Sequence, residues 1–161
     1  MKKNNSFAAL FIQEAIGLSQ EKMSQGQGGP FGAVVVKEGK IISRGWNQVT
    51  SINDPTAHAE IVAIREACRI LETFHLNGCE IYTNCEPCPM CLGAIYWARI
   101  KAVYYANTRH DAAGIGFDDE FIYREMAMPL SERTVKMTHL PSEEALFVFE
   151  KWAQKDNRIE Y

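Results

Sequence analysis

The sequence has no long apolar run. Its apolar stretches, such as residues 33–36 and 94–98, are only a few residues long, whereas a membrane-spanning helix needs about 20 apolar residues. The charged residues at 1–5 are not followed by the apolar region and small-residue cleavage site of an export signal. We therefore expect a cytoplasmic protein with no membrane contact.

The sequence also lacks an excess of basic residues. Lys and Arg number 17 against 20 Asp and Glu, which gives a formal net charge of −3. Residues 131–161 hold five basic and six acidic side chains, a net of −1. A protein that binds a nucleic-acid backbone needs clustered Lys and Arg to neutralise phosphates, so these counts argue against a nucleic-acid partner.

No repeat, low-complexity tract or linker divides the 161 residues, of which 47% are hydrophobic and 23% charged. This composition is typical of a globular protein, and the length fits one domain, so we expect a single domain over residues 1–161. The cysteines, at positions 68, 79, 85, 88 and 91, are odd in number. In a reducing compartment this pattern indicates metal binding or buried thiols before disulfides.

The glycine-rich loop (residues 26–32) lacks the G-x-G-x-x-G spacing of dinucleotide-binding loops. It also precedes an apolar strand pattern, whereas a dinucleotide-binding loop opens a helix. We interpret this loop as a segment whose glycines allow its backbone to pass close to other parts of the chain.

Apolar periodicity predicts helices that alternate with strands. The predicted strands cover residues 33–37, 40–46, 79–84, 100–106 and 133–140. The predicted helices begin after Ser6, Thr56, Glu86, Phe117 and Ser142. This order predicts an α/β protein with one mixed five-stranded sheet and helices on both of its faces.

Two short motifs could together hold a metal ion. His58-Ala59-Glu60 and Pro87-Cys88-Pro89-Met90-Cys91 match the H-x-E…P-C-x-x-C pattern of zinc deaminases. At a helix start, two cysteines three residues apart lie on one side, and the helix N-terminus favours the thiolate form. His58, Cys88 and Cys91 would leave one coordination position open, which is typical of a catalytic zinc site.

Glu60 completes this chemistry. Zinc lowers the pKa of a bound water from roughly 16 to about 7. Glu60 lies two residues from His58, where it can accept the proton of that water without binding the metal and deliver it to a ring nitrogen. The motifs thus predict a zinc-dependent hydrolase.

Two other interpretations of the C-x-x-C motif stay open. It also occurs in structural zinc sites and in redox pairs. A structural site needs a fourth ligand, which Cys85 or His110 could provide. A proline lies between Cys85 and Cys88, so we expect Cys85 to end a strand and to point elsewhere.

The segments around the motifs resemble a known family. Residues 53–60 (NDPTAHAE) and 85–91 (CEPCPMC) resemble the purine-handling members of the cytidine-deaminase-like superfamily. Residues 91–99 (CLGAIYWAR), 116–123 (GFDDEFIY) and the final Glu-Tyr resemble bacterial guanine deaminases in particular. Residues 45–47 (GWN) also occur in bacterial tRNA adenosine deaminases and do not discriminate.

The resemblance implies a three-layer α/β/α sandwich that hydrolyses guanine to xanthine and ammonia with one zinc ion per subunit, held by His58, Cys88 and Cys91. It also implies a homodimer that exchanges a C-terminal helix and tail, about residues 142–161. The other implied roles are proton transfer by Glu60 and Asp119, base binding by Asn47 and the backbone of Ala59, packing by Phe31 and Trp97, and closure of the partner's site by Tyr161.

The residues themselves leave two points open. Spacing does not settle whether Asp118 or Asp119 faces the pocket. The zinc motifs alone also fit a deaminase of guanosine, of cytosine or of adenosine in tRNA.

Overall fold

The structure is a computed structural model that describes residues 2–160, with side chains from residue 7 onward. The chain divides into two compact units, one ending at Asp119 and the other beginning at Glu120. The single domain expected over residues 1–161 remains a prediction. None of the helices in the described range is long and apolar enough to cross a membrane.

The first unit alternates helices and strands in much the predicted order. Its elements are α1 (Lys2–Ser24), β1 (Gly32–Lys37), β2 (Lys40–Trp46), α2 (Val49–Ile52), α3 (Ala59–Leu71), β3 (Cys79–Cys85), α4 (Pro89–Trp97), β4 (Ala102–Asn107) and α5 (Arg109–Ala113). Helices α2 and α5 span only four and five residues, too short for an apolar periodicity to reveal them.

The strands of this unit form one mixed sheet in the order β2-β1-β3-β4. Strand β1 pairs antiparallel with β2 and β3, whereas β3 and β4 run parallel. Parallel neighbours need a crossover connection, which α4 supplies. Glu38 and Gly39 join β1 to β2 with positive φ angles of 51° and 73°, as a tight hairpin turn requires.

Helices cover both faces of the sheet, which gives the expected three layers. On one face Val34, Val36 and Tyr82 pack against α1. On the other face Val35 and Ile81 lie in a core with buried side chains of α3 and α4. Because successive side chains of a strand point to opposite faces, the unbroken apolar run of β1 serves both cores.

The start of α3 lies directly against β2. A Cβ atom at Gly45 would come within 2.2 Å of the carbonyl oxygen of Ala59, so only glycine allows this approach. The Ser43 hydroxyl donates to the carbonyl of Ala63 at 2.7 Å and joins the same two elements. This packing determines where the residues at the beginning of α3 lie.

The second unit contains α6 (Glu120–Ala127), a 3-10 turn (Leu130–Glu132) and α7 (Glu143–Ala153). The hydroxyl of Ser142 accepts from the amide of Ala145, which confirms Ser142 as an N-cap. Residues 133–140, predicted to form a fifth strand, are irregular, so the sheet of the described chain has four strands. A strand requires a neighbouring strand to pair its backbone groups. Alternation of apolar residues in the sequence does not show whether such a neighbour is available.

Candidate active site

The three predicted zinc ligands meet where α3 and α4 begin. His58 is the N-cap residue of α3, Cys88 is the N-cap residue of α4, and Cys91 lies in the first turn of α4. The Nδ1 atom of His58 lies 3.5 Å from the Sγ atom of Cys88 and 3.5 Å from that of Cys91. All three ligand atoms lie within 4.8 Å of one another.

These distances fit a zinc ion. With Zn–N near 2.0 Å and Zn–S near 2.3 Å in a tetrahedron, the nitrogen and sulfur ligands should lie about 3.5 Å apart. The observed separation of 3.5 Å for both His58–Cys pairs therefore needs no rearrangement. One nitrogen and two sulfurs are also a ligand set that zinc prefers, and three protein ligands leave a position open for chemistry.

The two cysteines and His58 are coupled to one another through hydrogen bonds that shift their pKa values. A hydrogen bond from Cys91 lowers the pKa of Cys88 to about 4, although burial opposes this shift. The bond with Cys88 and burial raise the pKa of Cys91. A bond to Cys88 also raises the pKa of His58. These three side chains share protons through their hydrogen bonds, and a bound divalent cation would displace those protons.

Glu60 lies in the first turn of α3 and is 6% exposed. Burial raises the pKa of Glu60 to about 7, and the negative charge of Cys88 adds to this effect. A carboxyl group with a pKa near neutrality can accept and return a proton. The role of Glu60 as the proton acceptor stays a prediction.

Cys85 and His110, the alternative fourth ligands, do not join this group in the described part of the chain. The Cys85 thiol lies 3.8 Å from the carbonyl oxygen of Thr108, at the start of α5. Burial raises the pKa of Cys85 to about 11, so it stays a neutral thiol. His110 is exposed on α5. The geometry thus favours an open, catalytic site over a closed structural one.

Asn47 lies at the end of β2 and is 6% exposed. Its backbone amide donates to the carbonyl of Phe31 at 3.0 Å. Its Oδ1 atom accepts from the amides of Gly29 at 3.4 Å and Val49 at 3.3 Å. Because the oxygen end faces the backbone, Nδ2 is the end of the side chain that can donate to a ligand.

Gly28 allows the loop to pass this close to Asn47. A Cβ atom on Gly28 would come within 1.7 Å of the Asn47 carbonyl oxygen, and its φ angle is +147°. The backbone of the glycine-rich loop therefore passes close to another part of the chain, as the sequence predicts. It brings Phe31 next to Asn47, and the Phe31 ring meets the Phe117 ring edge-on at 4.9 Å.

Asp119 and Asp118 differ in environment. Asp119 is half-buried and Asp118 is exposed. Burial raises the pKa of Asp119, and the negative charge of Cys88 raises it further, so Asp119 lies within electrostatic range of the zinc ligands. The assignment of Asp119 to the site stays a prediction.

The remaining predicted residues stay predictions. Ala59 is the first residue of α3, where helices have amides without a partner inside the helix. Trp97 ends α4 and is 68% exposed. Tyr161 lies outside the residues that the structure describes.

Sequence reasoning missed Asn84, a buried amide at the end of β3. An asparagine before a cysteine is an ordinary strand ending, so nothing in the sequence pattern singles it out. Its contacts with the glycine-rich loop became visible only in the fold.

Comparison with known proteins agrees with this geometry. Residues 5–107 match the family model of the cytidine and deoxycytidylate deaminase zinc-binding region. The guanine deaminase of Bacillus subtilis (strain 168) is 54% identical over 151 residues, which cover 94% of this chain and 97% of the relative. A tRNA-specific adenosine deaminase of Aquifex aeolicus (strain VF5) is 37% identical over 145 residues, covering 90% and 93%.

The X-ray structure of guanine deaminase from Bacillus subtilis superimposes with a TM-score of 0.92 at 53% identity, covering 95% of this chain and 98% of that one. The family-model match begins in α1, ends in β4 and includes both helix starts that carry the metal ligands. Because that match spans more than half of the chain, the protein belongs to the cytidine and deoxycytidylate deaminase zinc-binding family.

Proposed function

We propose that this protein is a zinc-dependent guanine deaminase, which hydrolyses guanine to xanthine and ammonia. Zinc geometry alone is shared by deaminases of several bases and does not select the substrate. The observation that carries the proposal is the 54% identity to a guanine deaminase over nearly the full length of both chains. The small purine base is then the partner that the site binds.

The reaction adds water across the ring carbon that bears the amino group, and the bond from this carbon to the amino nitrogen breaks. His58, Cys88 and Cys91 would hold the zinc ion, which would lower the pKa of water and so provide a nucleophile at neutral pH. Glu60 accepts the proton of the attacking water and delivers it to a ring nitrogen of the base. Asp119 gives a proton to the departing amino group, which leaves as ammonia. The hydroxyl on the ring carbon gives up its proton as the oxo group forms, and that proton replaces the one that Asp119 gave.

The base is held by polar and aromatic groups. Asn47 donates from Nδ2 to an acceptor of the purine, and the backbone of Ala59 bonds a second polar atom. A buried purine needs such partners because unpaired polar atoms are costly. Phe31 and Trp97 pack around the ring.

The proposal includes a homodimer that exchanges C-terminal segments, about residues 142–161, so that Tyr161 closes the partner's site. The exposed apolar side chains of the single chain support it. In the second unit Leu140 is 82% and Phe149 74% exposed, and in the first unit Tyr96 is 76% exposed. Apolar side chains exposed on a single chain can mark a surface that a partner covers. Each 161-residue chain would then act as one deaminase domain that a partner completes.

A cytoplasmic location is also part of the proposal. None of the five cysteines, all of which lie in the described residues, forms a disulfide, as is usual in a reducing compartment.

A panel of bases and nucleosides tests the substrate. Purified protein is incubated with guanine, guanosine, cytosine and an adenosine-containing tRNA, and ammonia release and zinc content are measured on the same sample. We expect turnover of guanine, with an ultraviolet shift to xanthine, at one zinc per chain. Turnover of the tRNA without turnover of guanine would overturn the proposal and favour tRNA editing, the activity named for the Aquifex relative.

A further inference from the structure

Asn84 joins three separate segments of the first unit. Its Oδ1 atom accepts from the amide of Gly32 at 2.9 Å. Its Nδ2 atom donates to the carbonyl oxygen of Pro30 at 2.9 Å and to the hydroxyl of Ser19 at 3.2 Å. One side chain thus connects the end of β3 with α1 and with the last residues of the glycine-rich loop.

Asn84 lies on the face of the sheet that packs against α1, where most side chains are apolar. Side chains alternate along β3, so Tyr82 and Asn84 face α1. Tyr82 packs against the ring of Phe11 at 5.0 Å, as expected for a core position. Asn84 is only 8% exposed, and a buried amide is unfavourable unless its polar atoms are bonded. The loop and α1 supply those bonds.

The orientation of the amide is determined by its neighbours. The Ser19 hydroxyl donates to the carbonyl of Ile16 at 2.8 Å and is therefore free to accept from Nδ2. The Gly32 amide can only donate, and the Pro30 carbonyl can only accept. An aspartate at position 84 would keep the bond from Gly32 but would place a negative oxygen beside the Pro30 carbonyl.

The residues bonded by Asn84 flank the loop residue that holds Asn47. Pro30 and Gly32 lie on either side of Phe31, whose carbonyl accepts the Asn47 amide at 3.0 Å. A Cβ atom at Gly32 would come within 2.3 Å of the Ala15 carbonyl oxygen, so α1 also blocks movement of this segment. The position of Asn47 therefore depends on a loop that Asn84 holds on both sides of Phe31.

We propose that Asn84 is a positioning residue for base binding, which holds the glycine-rich loop so that Asn47 and Phe31 meet the purine. It does not touch the substrate. This inference rests on the proposed function, because Asn47 and Phe31 are assigned to guanine there. Loss of Asn84 should weaken binding of the base and leave proton transfer at Glu60 and the zinc group in place.

The test compares Asn84→Asp with Val36→Ala. Val36 is 1% exposed on the same face of the sheet, four residues along β1 from Gly32, so its truncation lowers stability without touching the loop. We expect Asn84→Asp to raise KM for guanine about tenfold, since a displaced loop would cost the hydrogen bond from Asn47 to the base, which is worth about that factor. Its kcat should change by less than about threefold, with one zinc per chain. Val36→Ala should leave KM unchanged.

Amide hydrogen exchange of residues 26–32 and 46–49 supplies a second measurement that does not depend on turnover. Exchange should be faster in Asn84→Asp and unchanged in Val36→Ala. Equal KM values, or equal exchange in the two variants, would overturn the role of Asn84. If the unaltered protein does not turn over guanine, the proposed function fails, and the exchange comparison still decides whether Asn84 holds the loop.

Discussion

The Nδ1 atom of His58 lies 3.5 Å from the Sγ atom of Cys88, although 30 residues separate them along the chain. The two residues occupy the same position, the N-cap, of α3 and α4, with extended ψ angles of 157° and 168°. Ser, Thr, Asp and Asn are the usual N-cap residues, so a histidine and a cysteine there indicate another role. Two helix N-termini that converge on one point also favour negative charge, as thiolate ligands require.

Glu60→Gln should keep the fold and the metal but lose the reaction. Glutamine has nearly the same shape, yet it cannot accept a proton from water. Groups that transfer protons contribute about 10²–10⁴-fold, so kcat should fall by about that factor while zinc stays at one per chain. Steady-state kinetics and metal analysis on the same preparation check this, and unchanged activity would show that Glu60 is not the proton acceptor.

Asp119→Asn should lower kcat, and Asp118→Asn is the matched control. Burial and the negative charge of Cys88 raise the pKa of Asp119, which increases the affinity of this carboxyl for a proton that it could pass to the leaving amino group. We expect a loss of about tenfold or more for Asp119→Asn and less than about twofold for the exposed neighbour. Equal losses in the two variants would contradict the assignment of Asp119.

Chelation should abolish activity and lower the melting temperature, because a ligand that binds only the folded state stabilises it. Adding zinc should restore both in the unaltered protein but not in His58→Ala. Zinc should also dissociate more readily as pH falls, since protons compete for His58, whose pKa is raised above its ordinary value. Metal-free protein with full activity would contradict a zinc-dependent reaction.

Deleting residues 159–161 should reduce turnover far more than stability. Chain ends contribute little to folding, so the melting temperature should change by no more than about 2 °C. An unaffected rate would argue against closure of the site by Tyr161.

Mixing two defective chains tests whether the segment is exchanged. Asn47→Ala supplies an intact tail, and the truncated chain supplies an intact Asn47. If segments are exchanged, a mixed dimer contains one complete site and recovers part of the activity. If each tail folds back on its own chain, no site is complete and the mixture stays inactive.

Local patterns predicted most of the first unit. The turn at Glu38-Gly39 and the strands around it follow from residue preferences that act over a few neighbours. Helices α3 and α4 begin two residues later than predicted, after the N-cap residues His58 and Cys88. The prediction of a fifth strand over residues 133–140 was wrong, because a strand depends on residues that are far away along the chain. The alternation of Val135 and Met137 with Lys136 and Thr138 resembles a strand, but strand pairing depends on a distant neighbour that the sequence does not identify.

The sequence by itself determined the chemistry: ligand types, their spacing at helix starts, and a glutamate two residues from the histidine are local properties of the chain. Only the tertiary structure decided that Cys85 faces Thr108 and stays apart from the metal group, and that Asn84 reaches Pro30 across 54 residues. Both depend on where separate segments come to lie. Such placement results from packing of the whole sheet with its helices, which no short stretch of residues encodes.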